Sequence, residues 1–345
     1  MSSRSTISVH ILTGFLGSGK TTLLNRTLAS SGFGADTAII VNEFGDIALD
    51  QLFIQEQSEE TIVLKSGCIC CSIRTDLVST LMQLAAMSGA RPAPLRRIVI
   101  ETSGISDPVP ILVTLRSDFN LLTRFHAGST VCVVDATAGD ARAEALAQLA
   151  AADACVIAKQ DLVEPRALPG VAAGVRRLNP TAAIVGADAL AAWFEANDAP
   201  AIGHDLADLQ PQVSASGHAI RSIVLRVESP QAWPQFAIWL SALVFRHGDR
   251  ILRMKGLLHD RERDIWIAVH GVRRFLHPPE HLRLHRPVRD TCLVFITENL
   301  DPALIERSYR RWVLSQDQGF LPPDDVAIQF ASHAADPVIN QGAVA

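Results

Sequence analysis

Over the first two hundred residues, short aliphatic and β-branched runs alternate with segments of helical spacing. The runs at 6–13, 37–42, 61–65, 96–102, 129–135, 154–159 and 182–187 read as strands. Helical spacing falls near 20–31, 73–88, 108–116, 140–150, 165–178 and 188–196. The strands are continuously apolar rather than alternating, so both their faces must be covered, and the sheet they predict is mostly parallel with helices on both sides. Residues 198–218 lose this rhythm and gain Pro, Gly, Ser and Asp, the composition of a linker. Afterwards the order changes to strand (219–227), helix (233–246), strands (250–259, 264–272, 291–297) and helix (302–314), a smaller α+β unit. The expected division is an α/β nucleotide-binding domain over 1–197, a linker over 198–218, a C-terminal α+β domain over 219–320 and a tail over 321–345.

At 345 residues the chain is long enough for two cores, and 48% hydrophobic with 19% charged residues excludes a disordered or low-complexity protein. A net charge of −5 supplies no attraction to nucleic acid or an anionic membrane. The most apolar stretch, 146–158, is interrupted by Gln148 and Asp153 and falls short of the ~20 residues a membrane span needs. The first twenty residues run from a strand into a Gly-rich loop and carry no signal-peptide pattern, so the expected location is the cytoplasm. There, six cysteines read as thiols or ligands rather than disulfides.

Between the first strand and the first helix stands GFLGSGKTT, with Gly14, Gly17, Ser18, Gly19, Lys20, Thr21 and Thr22. It fits G-x4-G-K-S/T in the strand–loop–helix setting that the motif requires. The glycines let backbone amides converge on phosphate oxygens, Lys20 neutralises β/γ charge, and Thr21 offers a hydroxyl to Mg²⁺. Only four of the 31 basic residues are lysines, and two of them, Lys20 and Lys159, lie in nucleotide motifs.

Further segments narrow the kind of nucleotide protein. NEFGDIALD (42–50) follows the second strand, SGCICCSIRTDL (66–77) the third, Glu101-Thr-Ser-Gly104 ends the fourth, and A-K-Q-D (158–161) ends the sixth. With the phosphate loop, these resemble the CobW-like metallochaperone GTPases, relatives of the urease and hydrogenase nickel-delivery GTPases. HGDRILRMKGLL (247–258) is similar to the signature of that family's second domain. The resemblance implies a GTPase that binds a transition metal and couples nucleotide state to its delivery to a client protein.

Glu101, at the C-terminal end of a buried strand beside the loop, can hold Mg²⁺ and position the attacking water. Gly104 leaves its amide free to approach a γ-phosphate. Asp135 is a second carboxylate at the same edge, and the resemblance implies that it supports the Mg²⁺ shell indirectly. Asp161 can accept from guanine N1–H and N2–H₂, while the Lys159 stem lies along the base. Ala158 stands where the family has Asn, which bears on how strictly guanine is preferred.

Cys68, Cys70 and Cys71 lie between a strand and a helix start, where thiol pKa values fall and thiolates become available. Three thiolates suit Zn²⁺, Co²⁺ or Ni²⁺ rather than Mg²⁺ or Ca²⁺, with Glu43, water or a client group as the fourth ligand. His277, His281 and His285 recur every four residues and would share a helical face, although Pro278 and Pro279 interrupt it. Cys132 and Cys155 sit in apolar strands and read as core, as do Trp233, Phe236 and Trp239 on one helix. Two other functions fit the phosphate loop: a phosphotransferase, which leaves the C-x-C-C unexplained, and a nucleotide-gated regulator or scaffold that moves no metal.

Overall fold

The computed structural model describes residues 6–29, 33–34, 36–43, 61–65, 72–88, 93–138, 142–196, 206, 209, 212–216, 220–227, 231–282 and 290–314. The first sheet has seven strands: β1 (Ile7–Gly14), β2 (Thr37–Glu43), β3 (Thr61–Lys65), β4 (Arg97–Thr102), β5 (Phe125–Asp135), β6 (Ala154–Ala158) and β7 (Ala183–Ile184). Their order is β3-β2-β4-β1-β5-β6-β7, and every pairing is parallel.

Successive residues of each strand feed opposite faces. On one face Val9, Ile11, Ile98 and Ile100 pack under α2 (Ser72–Met87) and α3 (Val109–Ser117) through Leu81, Leu84, Leu112 and Leu115. On the other, Leu12, Val99, Val131 and Val133 meet α1 (Lys20–Leu28) through Leu23 and Leu24. Between β4 and β5 also lies α4 (Phe119–Leu122); α5 (Ala143–Ala151), α6 (Leu168–Leu178) and α7 (Leu190–Ala196) complete the layers. This is the P-loop α/β fold.

The second sheet is antiparallel. Its strands β8 (Gln212–Ser216), β9 (Ile220–Val227), β10 (Ile251–Asp260), β11 (Ile265–Val272), β12 (Phe275–Leu276), β13 (Glu280–Leu282) and β14 (Thr291–Glu298) run in the order β12-β11-β10-β14-β9-β8, with β13 also on β11. Strand β8 falls inside the stretch read as a linker. Helices α8 (Trp233–His247) and α9 (Pro302–Tyr309) cover the sheet, burying Phe236, Trp239, Leu243 and Tyr309 against Met254 and Phe295. The Trp239 ring meets Phe295 and Tyr309 edge-on, so the aromatic row of α8 is core, as its spacing predicts. A shared apolar layer joins the two units: Ile220, Leu252 and Ile296 pack with Cys132, Leu149, Cys155 and Leu178. No helix among the described residues is long and apolar enough to cross a membrane.

The prolines do break the histidine spacing. Residues 280–282 form β13, paired with β11 so that His281 lies opposite Ile267, and His277 precedes it as a partner of Arg116. With two prolines between them and a strand following, His277 and His281 share no helical face, and His285 lies outside the described residues.

Candidate functional site

Helix α1 begins directly at Lys20, after a turn in which Gly17 and Gly19 hold φ of 73° and 96°. An L side chain seldom tolerates those angles, so the loop takes its cradle shape only with glycine there. Inside the cradle the buried Lys20 Nζ donates to the carbonyls of Gly14 (2.9 Å) and Phe15 (3.2 Å). Ser18 is buried and its amide closes the turn onto the Phe15 carbonyl at 3.1 Å, while Thr22 on α1 is exposed.

The parallel register brings the next residues to the same edge. Leu12 of β1 lies opposite Glu101 of β4, and Thr102 Oγ1 donates to Thr13 Oγ1 at 2.9 Å between buried strand ends. Thr21 Oγ1 donates to Glu101 Oε1 at 2.6 Å. A hydroxyl and a carboxylate, both hard oxygen donors, thus face each other beside the loop lysine. Gly104 follows at once: a Cβ there would stand 2.4 Å from the Leu16 Cα and 2.5 Å from its nitrogen, a space that only glycine can occupy. The Gly104 segment therefore lies directly against the phosphate loop.

A residue missed at the sequence level holds that segment in place. Gln148 of α5 is fully buried, and its Nε2 donates to the carbonyls of Gly104 (3.1 Å) and Ser106 (3.0 Å). The available signal was a polar residue breaking an apolar helix, which reads as an interruption until its partner is seen.

The A-K-Q-D turn closes the other flank. Lys159 adopts φ 55°, and its Nζ pairs with Asp135 Oδ2 at 2.7 Å. Burial would raise the Asp135 pKa, but hydrogen bonds from Lys159 and Thr137 outweigh it and hold the carboxylate below its ordinary value. Asp161 follows in an exposed 3₁₀ turn (Gln160–Leu162). The Ala158 methyl stands 4.0 Å from where a Gly19 Cβ would be, so the position held by Asn in the resemblance faces the phosphate loop with no amide to offer.

Of the metal residues, Cys68, Cys70 and Cys71 lie outside the described residues. The backbone of Glu43 ends β2, opposite Lys65 and one step past the Asn42–Thr102 pair, and its side chain is not described. The chain between the end of β3 and the start of α2 carries the three cysteines, and β3 ends at Lys65 on the edge that holds Glu101. Cys132 and Cys155 are buried thiols raised by desolvation, Cys155 to about 11, and take no part in the site.

Residues 8–186 match the family model of the CobW/HypB/UreG nucleotide-binding domain. Residues 220–312 match that of the cobalamin synthesis protein cobW C-terminal domain. The chain belongs to the CobW family. The zinc chaperone YjiA of Escherichia coli is 30% identical over 261 residues, 73% of this chain and 81% of that protein. The zinc-regulated GTPase metalloprotein activator 1 of Schizosaccharomyces pombe is 30% identical over 190 residues, 52% of this chain and 45% of that protein. The crystal structure of Zn(II)-bound YjiA GTPase superposes with a TM-score of 0.68 at 23% identity, covering 89% of this chain and 99% of that one, which shows a common fold. A Zn(II)-bound YjiA triple mutant, with a glutamate and two cysteines replaced by alanine, gives 0.68 at 24%, over 89% and 99% of the two chains. As a CobW-family protein the chain has relatives named as zinc chaperones and as zinc-regulated GTPase metalloprotein activators.

Proposed function

We propose that this chain is a GTP-hydrolysing metallochaperone of the cytoplasm. In this reading it takes up zinc at Cys68, Cys70 and Cys71, with Glu43 as a further ligand, and releases it to a client metalloprotein according to nucleotide state. The observation that carries the reading is the Thr21–Glu101 pair, 2.6 Å apart beside Lys20, with Gly104 seated on the same loop.

Lys20 exchanges its two carbonyl partners for the β- and γ-phosphates, and the amides of Gly14, Gly17, Ser18, Gly19, Thr21 and Thr22 receive the remaining oxygens. Thr21 and Glu101 fit Mg²⁺, being hard oxygen ligands at one point, and the bound ion supplies charge neutralisation on the phosphates. Glu101 orients the attacking water. The Gly104 amide registers the γ-phosphate, and its loop shifts when that group leaves. Asp161 accepts from the guanine edge along the Lys159 stem; with Ala158 in place of Asn, guanine preference rests on Asp161. The boundaries 1–197 for the GTPase domain and 321–345 for the tail belong to this proposal, while β8 carries the second domain back from 219–320 into the stretch 198–218 read as a linker.

Zinc is chosen over cobalt and nickel because the relatives are zinc chaperones and three thiolates suit it. A YjiA variant lacking a glutamate and two cysteines is itself Zn(II)-bound, so zinc content alone is a poor test. The test is Zn²⁺ affinity by chelator competition in apo, GDP and GTP-analogue forms. GTP analogue with Mg²⁺ should change the affinity about 5- to 150-fold, and replacing Cys68, Cys70 and Cys71 by Ser should remove the difference while sparing GTP binding. Equal affinities in all three forms would reduce the chain to a GTPase with an unrelated metal site.

A further inference from the structure

The second domain holds one helix of the first at both ends. Ahead of α3, Asp107 Oδ1 accepts from the Val109 amide at 2.9 Å, and Asp107 Oδ2 accepts from Arg273 Nη2 at 3.3 Å. In the last turn of α3, Arg116 Nη1 reaches His277 Nδ1 at 2.6 Å. Arg273 and His277 belong to one hairpin, in which Val272 of β11 pairs with Phe275 of β12 and the His277 amide donates to the His270 carbonyl at 2.9 Å. Between the two contacts Val272 enters the core with Ile111, Leu112 and Leu115. The spans match: α3 is about 12 Å long, and the extended chain from Arg273 to His277 covers about 13 Å. The Arg116 end adjoins a buried cluster in which Asp153 receives Arg253 and, at 3.2 Å, Lys255 Nζ. At the other end the Arg273 and Asp107 side chains are 31% and 37% exposed, so that grip can be removed without opening the core.

What precedes α3 gives this grip its meaning. Residues 103–108 join the end of β4 to α3, and Gly104 within them is seated on Leu16 of the phosphate loop. Among the described residues, two side chains from outside bond to this segment: Gln148 to the Gly104 and Ser106 carbonyls, and Arg273 to Asp107. The Arg273 guanidinium is itself anchored, since its Nη1 donates to the Asp249 carbonyl at 2.9 Å. It spans the two domains, with one nitrogen on each. An ion pair so exposed adds little to stability. A slight misplacement of a group that meets the reacting phosphate, by contrast, is costly in rate.

We propose that Arg273 is a positioning residue for GTP hydrolysis. Through Asp107 it fixes the start of α3, and with it the segment whose Gly104 amide meets the γ-phosphate. This assignment rests on the GTPase reading of the site and extends it: the second domain helps to set the nucleotide site without touching the nucleotide.

The test measures GTP hydrolysis and GDP affinity in the full chain. Arg273→Glu, which sets a like charge against Asp107, should lower kcat about tenfold with KM unchanged. GDP affinity should stay at the wild-type value, because GDP has no γ-phosphate for the segment to meet. Arg273→Lys keeps the positive charge and should hold kcat within about twofold of wild type. Should Arg273→Glu fail to fold, Arg273→Ala takes its place, with an expected fall in kcat of about fivefold. An active wild type with kcat unchanged in Arg273→Glu would overturn this assignment alone. A wild type that hydrolyses no GTP would overturn the GTPase reading, and the assignment with it. Parallel losses of kcat and GDP affinity would also overturn the assignment, because they mark damage to the phosphate loop itself. So would an Arg273→Lys variant as slow as Arg273→Glu.

Discussion

In the parallel sheet the ionic side chains stand at the strand ends; in the antiparallel sheet a buried group of them sits within the strands. Arg97 opens β4 and pairs with Asp36 at 2.9 Å, while Glu101 and Asp135 stand at the opposite edge with Thr21 and Lys159. Arg253, Lys255 and His270, by contrast, lie inside β10 and β11 and are each less than 9% exposed. A charge at a strand end can trade one partner for another, because a loop and a diffusible ligand both reach it. A buried charge within a strand has to be satisfied by other groups of the protein. The first sheet is therefore built to be re-partnered, and the second to be docked once.

The largest effect that would sharpen this contrast comes from Asp153→Asn. It removes the counterion of Arg253 and Lys255, and breaking a buried pair costs about 3–5 kcal/mol. The urea midpoint should fall accordingly, while GTP affinity of the folded protein stays near wild type. A midpoint unchanged by the substitution would break the comparison.

Next comes Lys20→Ala at the re-partnering edge. Hydrolysis should fall at least about tenfold, equivalent to ~1.4 kcal/mol, because the lysine contact strengthens in the transition state. The same urea measurement should register little. Turnover equal to wild type would place phosphate handling elsewhere.

The smallest effect is in pH. Burial, reinforced by Arg116 and Arg253, lowers the His277 pKa to about 3, and His270 is also lowered, first by desolvation. A histidine kept neutral in the native state and protonated in the unfolded chain loses stability as pH drops below ~6.5 and stops losing it near the folded value. From pH 7 to pH 5.5, His277 should therefore contribute a loss of about 1 kcal/mol that is absent in His277→Phe. A flat wild-type profile would show that the cluster accepts the proton.

How much could be read in advance follows the same division. The phosphate loop was legible because its glycines and lysine act within nine consecutive residues, and the parallel strands because burial on both faces leaves an unbroken apolar run. Strand β5 begins at Phe125, earlier than its apolar pattern suggests, since His126 and Gly128 interrupt the run. Strand β8 reads QVSAS and sits at a sheet edge, where polar residues are tolerated and the signal of a strand fades. Gln148 and Asp153 counted only as breaks in an apolar stretch, because what satisfies them comes from Gly104, Ser106 and β10. Arg253 looked like part of a family signature with no stated task, since its partner lies a hundred positions earlier in the chain.

Helix α5 is gripped at two points one turn apart. Gln148 holds the Gly104–Ser106 loop, and the carbonyl of Ala151 receives the guanidinium of Arg253. At a rise of about 1.5 Å per residue the two grips are separated by only ~4.5 Å of rigid helix. Over so short a span a rigid helix leaves little play between the contact with the loop and the contact with β10. Both contacts therefore stand on one rigid segment of α5, which touches the loop beside the phosphate cradle on one side and the second sheet on the other.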